Sequence, residues 1–397
     1  MRPFLLALIP LAAPSLCSQD LWTEARVLEE FARSPRRVAL DEGIAAVAAE
    51  GRGRALLANP SVSYSREGAG FTEFLQVEQT LPFSGRRKLL EQSGQSRVTA
   101  AEAARDAQWW EQRIALRMAF FDLLAAQERV AALAATLVQL RELTEILSTR
   151  ERLGEGSRYD RLRGEREISE IDADRGAAEA AQAVALARVR AFVPGAGLAS
   201  GTLDTPAFAA TPEEIATRAL ATRAELRTVD RTLATLAIEQ QAADRLRRPD
   251  PTINAGMKRA NTGFANDTAY VAGISVPIPS FNRGQFEVAR LSAEQRSLAA
   301  VRLAIEQRVR AEISGALEAL ATRRRALAEY RSTQLAGGAE LVRIARIAYQ
   351  EGEIGILELL DAVRVERLAQ LRSIDLAAAV KNAQLELDRA AGLEVQP

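Results

Sequence analysis

The stretch that decides the fold is Leu116–Leu147, LRMAFFDLLAAQERVAALAATLVQLRELTEIL. Leu116, Ala119, Leu123, Ala126, Val130, Leu133, Leu137, Leu140, Thr144 and Leu147 recur at alternating spacings of three and four, and only Thr144 is polar. A heptad seam of that length belongs to a coiled coil rather than to a globular helix. Working outward, helical sequence runs from Arg86 to about Arg150, and no proline falls between Pro82 and Pro194. At 1.5 Å per residue this predicts a helix about 100 Å long.

A second long helical stretch is predicted from about Gly284 to Gln350, with Ile305, Val309, Ile313, Ala316 and Leu320 as its buried stripe. Arg323-Arg324-Arg325 interrupts that stripe and reads as a solvated face. The two stretches belong to an internal repeat. Leu153–Leu162 matches Glu351–Leu360: Gly154 pairs with Gly352, Asp160 with Glu358 and Arg166 with Arg364, at an offset of 198 (352 − 154). Each half ends in a long helix, a glycine-containing turn and a second helix.

Two strand-like segments precede the long helix of each half. In the first half they are Pro60–Ser65 and Phe74–Leu81, where Leu75, Val77 and Leu81 alternate with Gln76, Glu78 and Thr80. In the second half they are Thr252–Lys258 and Tyr270–Ile278, with a turn-like segment at 260–267. Tyr270, Ala272, Ile274, Val276 and Ile278 alternate there with Val271, Gly273 and Ser275. Runs of about 9–11 residues with one apolar and one polar or small face suit strands crossing a membrane around a wet lumen. Taken alone, the pattern fits soluble hairpins packed on a core better.

Composition narrows the function. The chain has 397 residues, no histidine and one cysteine, and its 52 basic residues balance 52 acidic ones. Without histidine, Ser-His-Asp and Cys-His nucleophile systems and the usual zinc sites are excluded. No cofactor is expected. Balanced charge and 5% aromatics give no reason to expect nucleic acid.

Met1-Arg2-Pro3 followed by the apolar run Phe4–Ala13 reads as a short secretory signal, residues 1–18, cut after Cys17 or Ser18. Cys17 raises the alternative of a lipoprotein. Leu16 stands where a lipidation box wants a small residue, so ordinary cleavage is favoured. No later segment has the ~20 consecutive apolar residues of a transmembrane helix. An exported chain of this kind is either periplasmic or an outer-membrane β-barrel.

Together these parts resemble the TolC family of outer-membrane efflux proteins, in layout closest to the channel subunits of heavy-metal (cobalt-zinc-cadmium) efflux systems. The resemblance extends from about Leu21 to Gly392. It is carried by Asn59-Pro60, by Leu81-Pro82-Phe83-Ser84-Gly85-Arg86-Arg87, by Arg248-Pro249-Asp250-Pro251 and by Val276-Pro277-Ile278-Pro279-Ser280-Phe281-Asn282-Arg283-Gly284. Its most specific motif is Ala348–Ala362, AYQEGEIGILELLDA.

The resemblance implies a mainly α fold with a small β part. A signal peptide (1–18) precedes two efflux-channel repeats (19–199 and 200–397), each with a helix, two strands and a long coiled-coil hairpin. It also implies a homotrimer whose four strands per protomer close one twelve-stranded barrel, continued by a twelve-helix α-barrel in the periplasm. Closure is needed because two hairpins of one protomer cannot satisfy their edges in lipid. A periplasmic adaptor, an inner-membrane transporter of the RND type and outer-membrane lipid are the implied partners.

The resemblance also assigns residues. The turns at Gly154, Glu155 and Gly156 and at Gly352, Glu353 and Gly355 become hairpin tips that close the conduit and meet the adaptor. Glu358 and Asp361 match acidic positions of the entrance constriction. Three apart, they share a helix face, and in a trimer they would form rings that favour cations. The alternative is a pair of ordinary solvated carboxylates. Asp160 holds the equivalent acidic position in the first half, and Arg163 stands where the second half has Asp361. Tyr349 matches a tyrosine that helps latch neighbouring hairpins. The latch arginine two residues after the turn glycine is absent, the position being Ile354, and Arg158 or Arg161 is the expected substitute.

Pro82, Arg86, Arg87, Pro277, Pro279 and Asn282 mark strand-to-helix junctions at the membrane boundary, although Arg86-Arg87-Lys88 reads equally well as a charged first helical turn. Ser84 and Asn282 are expected N-caps. Two other readings compete. A soluble periplasmic coiled-coil or adaptor protein has one hairpin and more β sequence than this chain. A hydrolase using paired carboxylates lacks a cleft among these helices. The cargo is not legible, and without histidine a metal ion would pass through rather than lodge in an imidazole site.

Overall fold

The computed structural model describes residues 21–68, 71–205, 211–261 and 263–394. The signal segment 1–18 and Cys17 lie outside the described residues. Packing divides the chain into two compact units, each drawing segments from both sequence repeats.

Among the described residues, the first unit comprises 21–34, 115–205 and 321–383. It holds the two-residue strand β1 (Trp22–Thr23), α1 (Glu24–Ala32), most of the seam-bearing part of α3 (Arg86–Leu153), α4 (Arg158–Arg190) and the short strand β4 (Ala199–Ser200). It also holds the end of α7 (Gln285–Tyr330), α8 (Ala336–Glu351) and most of α9 (Ile356–Ala391). β1 and β4 pair in parallel. The seam is the core: Leu133, Leu137, Leu140 and Leu147 pack in one buried cluster with Ile171, Val342, Tyr349, Ile356, Leu359 and Val363. A Cβ added at Gly164 would meet Thr144 Oγ1 at 2.8 Å, so the one polar seam residue faces a glycine and α3 and α4 pack closely there.

The second long stretch differs from expectation at one place. Where one unbroken helix is expected, Arg331–Leu335 forms a π-helical segment between α7 and α8. Ser332 and Thr333 hydroxyls both donate to the Glu329 carbonyl, at 3.0 and 2.8 Å, and such back-bonding competes with the helical ladder.

Among the described residues, the second unit comprises those of 35–114, 211–320 and 384–394. It contains α2 (Pro35–Arg54), β2 (Ser61–Glu67), β3 (Thr72–Thr80), α5 (Pro212–Thr222), α6 (Ala224–Asp244), β5 (Thr252–Asn261) and β6 (Asn266–Ser275). α5 opens on a capping box, with Thr211 and Glu214 each bonding the other's backbone N–H. α2 and α3 touch backbone to backbone: a Cβ at Gly51 would lie 2.8 Å from the Gly94 Cα.

The four long strands form one antiparallel sheet in the order β2-β3-β5-β6. β2 pairs only with β3 and β6 only with β5, so each leaves an unpaired edge among the described residues. Directly opposed residues share a face. Val62 opposes Val77, Tyr64 opposes Leu75, Leu75 opposes Met257, Ile253 opposes Ile274 and Met257 opposes Tyr270. One face is therefore apolar across all four strands, and its large side chains are exposed. The other face carries Ser61, Ser63, Gln76, Glu78, Asn254 and Lys258.

Candidate functional site: the hairpin turns and their charged neighbours

The two turns are built alike. α3 ends at Leu153, and Gly154 takes a left-handed φ of 78°. The Gly154 N–H donates to the Glu151 carbonyl (3.0 Å) and the Glu155 N–H to that of Arg150 (2.9 Å). At Gly352, φ is 76°, with Gly352 donating to Tyr349 (3.2 Å) and Glu353 to Ala348 (2.8 Å). Both are Schellman closures, in which a glycine without a Cβ penalty reverses the chain and satisfies the last carbonyls. Ser157 then caps α4 by accepting from the Tyr159 N–H at 3.0 Å. Glu155, Gly156, Glu353 and Gly355 are exposed at the two turns.

Tyr349 sits one turn before Gly352 with its ring buried in the cluster. The Arg150 guanidinium lies over that ring, 5.6 Å from the centroid, within the range of a cation–π contact. Burial raises the phenol's pKa, the Asp160 charge raises it further, and Arg150 pulls it back. Asp160 thus lies close enough to Tyr349 for its charge to act on the phenol. Neither expected arginine is the ring's partner. Arg161 is bound within its own hairpin to Glu151 (2.6 Å) and Glu165 (2.5 Å), and Arg158 is exposed at the start of α4. Ile354 packs on the apolar cluster.

A second group lies along α4 and α9. Arg163, Glu167, Glu358, Asp361 and Arg364 line one shallow pocket of ≈ 360 Å³. Glu358 and Asp361 are exposed there, and neither makes an ion pair among the described residues. Glu358 and its repeat-mate Asp160 differ in setting: Asp160 is half-buried beside Tyr349, whereas Glu358 is exposed. Glu167, only 5% exposed, is bound to Arg364 at 3.0 Å.

Arg150, Glu167 and Arg364 were not assigned roles by sequence reasoning. A signal for Glu167 existed: Asp160, Gly164, Glu167 and Ile171 follow the four-three-four spacing of a buried seam, so an acid in that row calls for a partner. Nothing local marks Arg150.

At the helix ends of the sheet, the junction residues are held by the other half's loop. The Leu81 N–H donates to the Pro251 carbonyl (2.8 Å), and the Ser84 N–H and hydroxyl donate to the Asp250 carboxylate (2.7 and 3.0 Å). Arg87 donates to the Ala55 carbonyl at 2.8 Å. Pro82, Arg86 and Arg87 line one cavity beside Asp250, and Pro277, Pro279, Asn282 and Arg86 line its neighbour. Ser84 and Asn282 are not the N-caps. The helices begin at Arg86 and Gln285, and Gly85 (φ 78°) and Gly284 (φ 80°) occupy the capping positions. Each expected cap lies one residue or more upstream: Ser84 accepts from the Arg86 N–H at 3.3 Å and Asn282 from that of Gly284 at 3.0 Å.

Long helical hairpins with glycine tips and an open four-stranded sheet define the class: the chain has the fold of the TolC-type outer-membrane channels. The outer-membrane channel OprN superposes with a TM-score of 0.73 at 18% identity, covering 94% of this chain and 91% of OprN. The CmeC outer-membrane channel of Campylobacter jejuni superposes with a TM-score of 0.73 at 14% identity, covering 94% of this chain and 87% of CmeC. At these identities the likeness is one of fold. In sequence, the chain is similar to the cobalt-zinc-cadmium resistance protein CzcC of Cupriavidus metallidurans, 26% identical over 289 residues. That match covers 69% of this chain and 66% of the relative, just under two thirds of its length. No family model matches the chain.

Proposed function

We propose that three copies of this chain close a β-barrel in the outer membrane and form the passive exit channel of a tripartite efflux system. The observation that carries this reading is the sheet. Its apolar face is exposed across all four strands, and its two edges are unpaired. In water such a face and such edges are a liability. In lipid a closed ring of three sheets satisfies both. Among the described residues no helix is long and apolar enough to cross a membrane. On this reading the helical part lies in the periplasm, where a periplasmic adaptor and an inner-membrane transporter of the RND type engage the hairpin turns. The chain has no catalytic role here. The turns, with Tyr349, Asp160 and Arg150, hold the entrance shut, and Glu358 and Asp361 face the pore as acidic rings. The likeness to a cobalt-zinc-cadmium resistance protein supports divalent metal cations as cargo.

Fractionation tests the channel. Recovery in outer membranes as a heat-modifiable trimer is the expected result, and recovery as a soluble periplasmic protein would overturn it. Deletion of the gene in its host tests the cargo. Sensitivity to cobalt, zinc or cadmium supports metal export, whereas unchanged tolerance to all three removes the metal assignment and leaves the channel standing.

A further inference from the structure

At the helix end of the sheet is a cavity of ≈ 490 Å³ whose lining includes Arg86, Arg245, Arg248, Asp250, Ile278 and Phe281. Three arginines and one aspartate thus share the lining, and the Asp250 carboxylate already accepts two hydrogen bonds from Ser84. Among the described residues none of the three arginine side chains has an ion pair or hydrogen bond, and the Arg86 Nε is shielded from water without a partner. Of the nearby acids, Glu287 binds Arg290 and also feels the Arg86 charge, and Asp244 binds Arg247. The cavity therefore carries more positive than negative charge, and a shielded guanidinium N–H without an acceptor is costly unless an anion supplies one.

What adjoins it names the anion. Phe281 is 93% exposed and Ile278 is 84% exposed. Ile274 on the sheet's apolar face precedes them in the chain. Positive charge beside a continuous apolar surface fits a molecule with a phosphate at one end and hydrocarbon at the other. A free phosphate would have no use for the apolar rim.

We propose that this cavity binds the phosphate of an anionic glycerophospholipid, with the acyl chains lying along Ile278, Phe281 and the apolar face of the sheet. The proposal rests on the reading of the sheet as membrane-spanning. The helices leave the sheet at this end, so the lipid belongs to the periplasm-facing leaflet.

The test is native mass spectrometry of the detergent-purified trimer titrated with phosphatidylglycerol or phosphatidylcholine. The expected result is preferential retention of phosphatidylglycerol, weakened about fivefold for each arginine replaced, the usual worth of one basic residue at an anionic lipid surface. Arg86→Gln, Arg245→Gln and Arg248→Gln are measured singly as well as together, so the test survives a triple variant that fails to fold. Equal retention of the two lipids, or unchanged retention by all the variants, overturns the proposal. Displacement of phosphatidylglycerol by inorganic phosphate alone overturns it too, since the site would then be one for free phosphate. Fractionation of the same preparations separates the two readings. Absence of an outer-membrane trimer sinks the channel, whereas a membrane-inserted trimer without lipid preference sinks this proposal alone.

Discussion

The Arg150 guanidinium lies over the Tyr349 ring, 5.6 Å from its centroid, although the two residues come from opposite sequence repeats. Asp160, two residues into α4, raises the phenol's pKa while Arg150 lowers it. The tip of the first hairpin thus holds the second by one ring and two opposed charges.

This contact predicts a spectroscopic and a functional outcome. Because burial raises the Tyr349 pKa, its tyrosinate absorbance appears above the ordinary phenol value of about 10. A difference titration of wild type against Tyr349→Phe isolates it. Arg150→Ala removes the one lowering charge and moves that titration higher. A downward move refutes the assignment. In planar bilayers both variants are expected to conduct more often than wild type if the contact holds the entrance closed.

For the carboxylates facing the pore in the proposed trimer, Glu358→Ala with Asp361→Ala is expected to reduce cation preference and change single-channel conductance. Like-signed rings act on permeant ions by their field in a narrow pore. Unchanged conductance and selectivity would return both residues to ordinary surface acids.

The Glu167–Arg364 pair is asymmetric, since Glu167 is buried and Arg364 is partly exposed. Arg364→Ala strands a buried carboxylate and is expected to cost about 2–3 kcal/mol, discounted from the fully buried case for the solvent at Arg364. Glu167→Gln leaves Arg364 in water and is expected to cost under about 1 kcal/mol. Thermal unfolding of the purified trimer checks the order, and a larger loss for Glu167→Gln would contradict it.

At the backbone contact of α2 and α3, Gly51→Ala and Gly94→Ala press a Cβ onto main chain that cannot rotate away. Each is expected to destabilise by about 1–3 kcal/mol, the usual range for overpacking. Gly43→Ala, on the same helix with nothing within 4 Å, is expected to stabilise by about 0.5–1 kcal/mol. Chemical denaturation of the three variants side by side distinguishes packing from helix propensity.

The two faces of the sheet give the last prediction. Leu75→Lys, midway along β3 on the apolar face, is expected to cut the yield of outer-membrane trimer, because a lysine facing lipid costs about 2–4 kcal/mol near the bilayer midplane. Asn254→Lys on the opposite face is expected to leave the yield near wild type. Equal yields would mean that the apolar face does not meet lipid.

The sequence by itself determined what is periodic and local. The seam from Leu116 to Leu147, the stripe from Ile305 to Leu320, the alternation within each strand and the glycine turns all follow from backbone repeats that a short window displays. It also singled out Tyr349 and, separately, Asp160, without placing one beside the other. Only the tertiary structure decided the partners across the chain: that Arg150 rather than Arg158 or Arg161 meets Tyr349, that Glu167 takes Arg364, and that Asp160 and Glu358 occupy unlike settings despite matching positions. The apolar face of the sheet belongs to the same category. Alternation says that Val77 and Ile274 each lie on an apolar side of their own strand, but strand register decides that both lie on the same side of one sheet. The physical reason is range. Periodicity is a property of a few consecutive residues, whereas a pairing across nearly two hundred residues depends on how helices and strands are staggered in space. The N-caps show the same limit at short range, since Ser84 and Asn282 have capping side chains but Gly85 and Gly284 have the left-handed backbone at the positions where the helices begin.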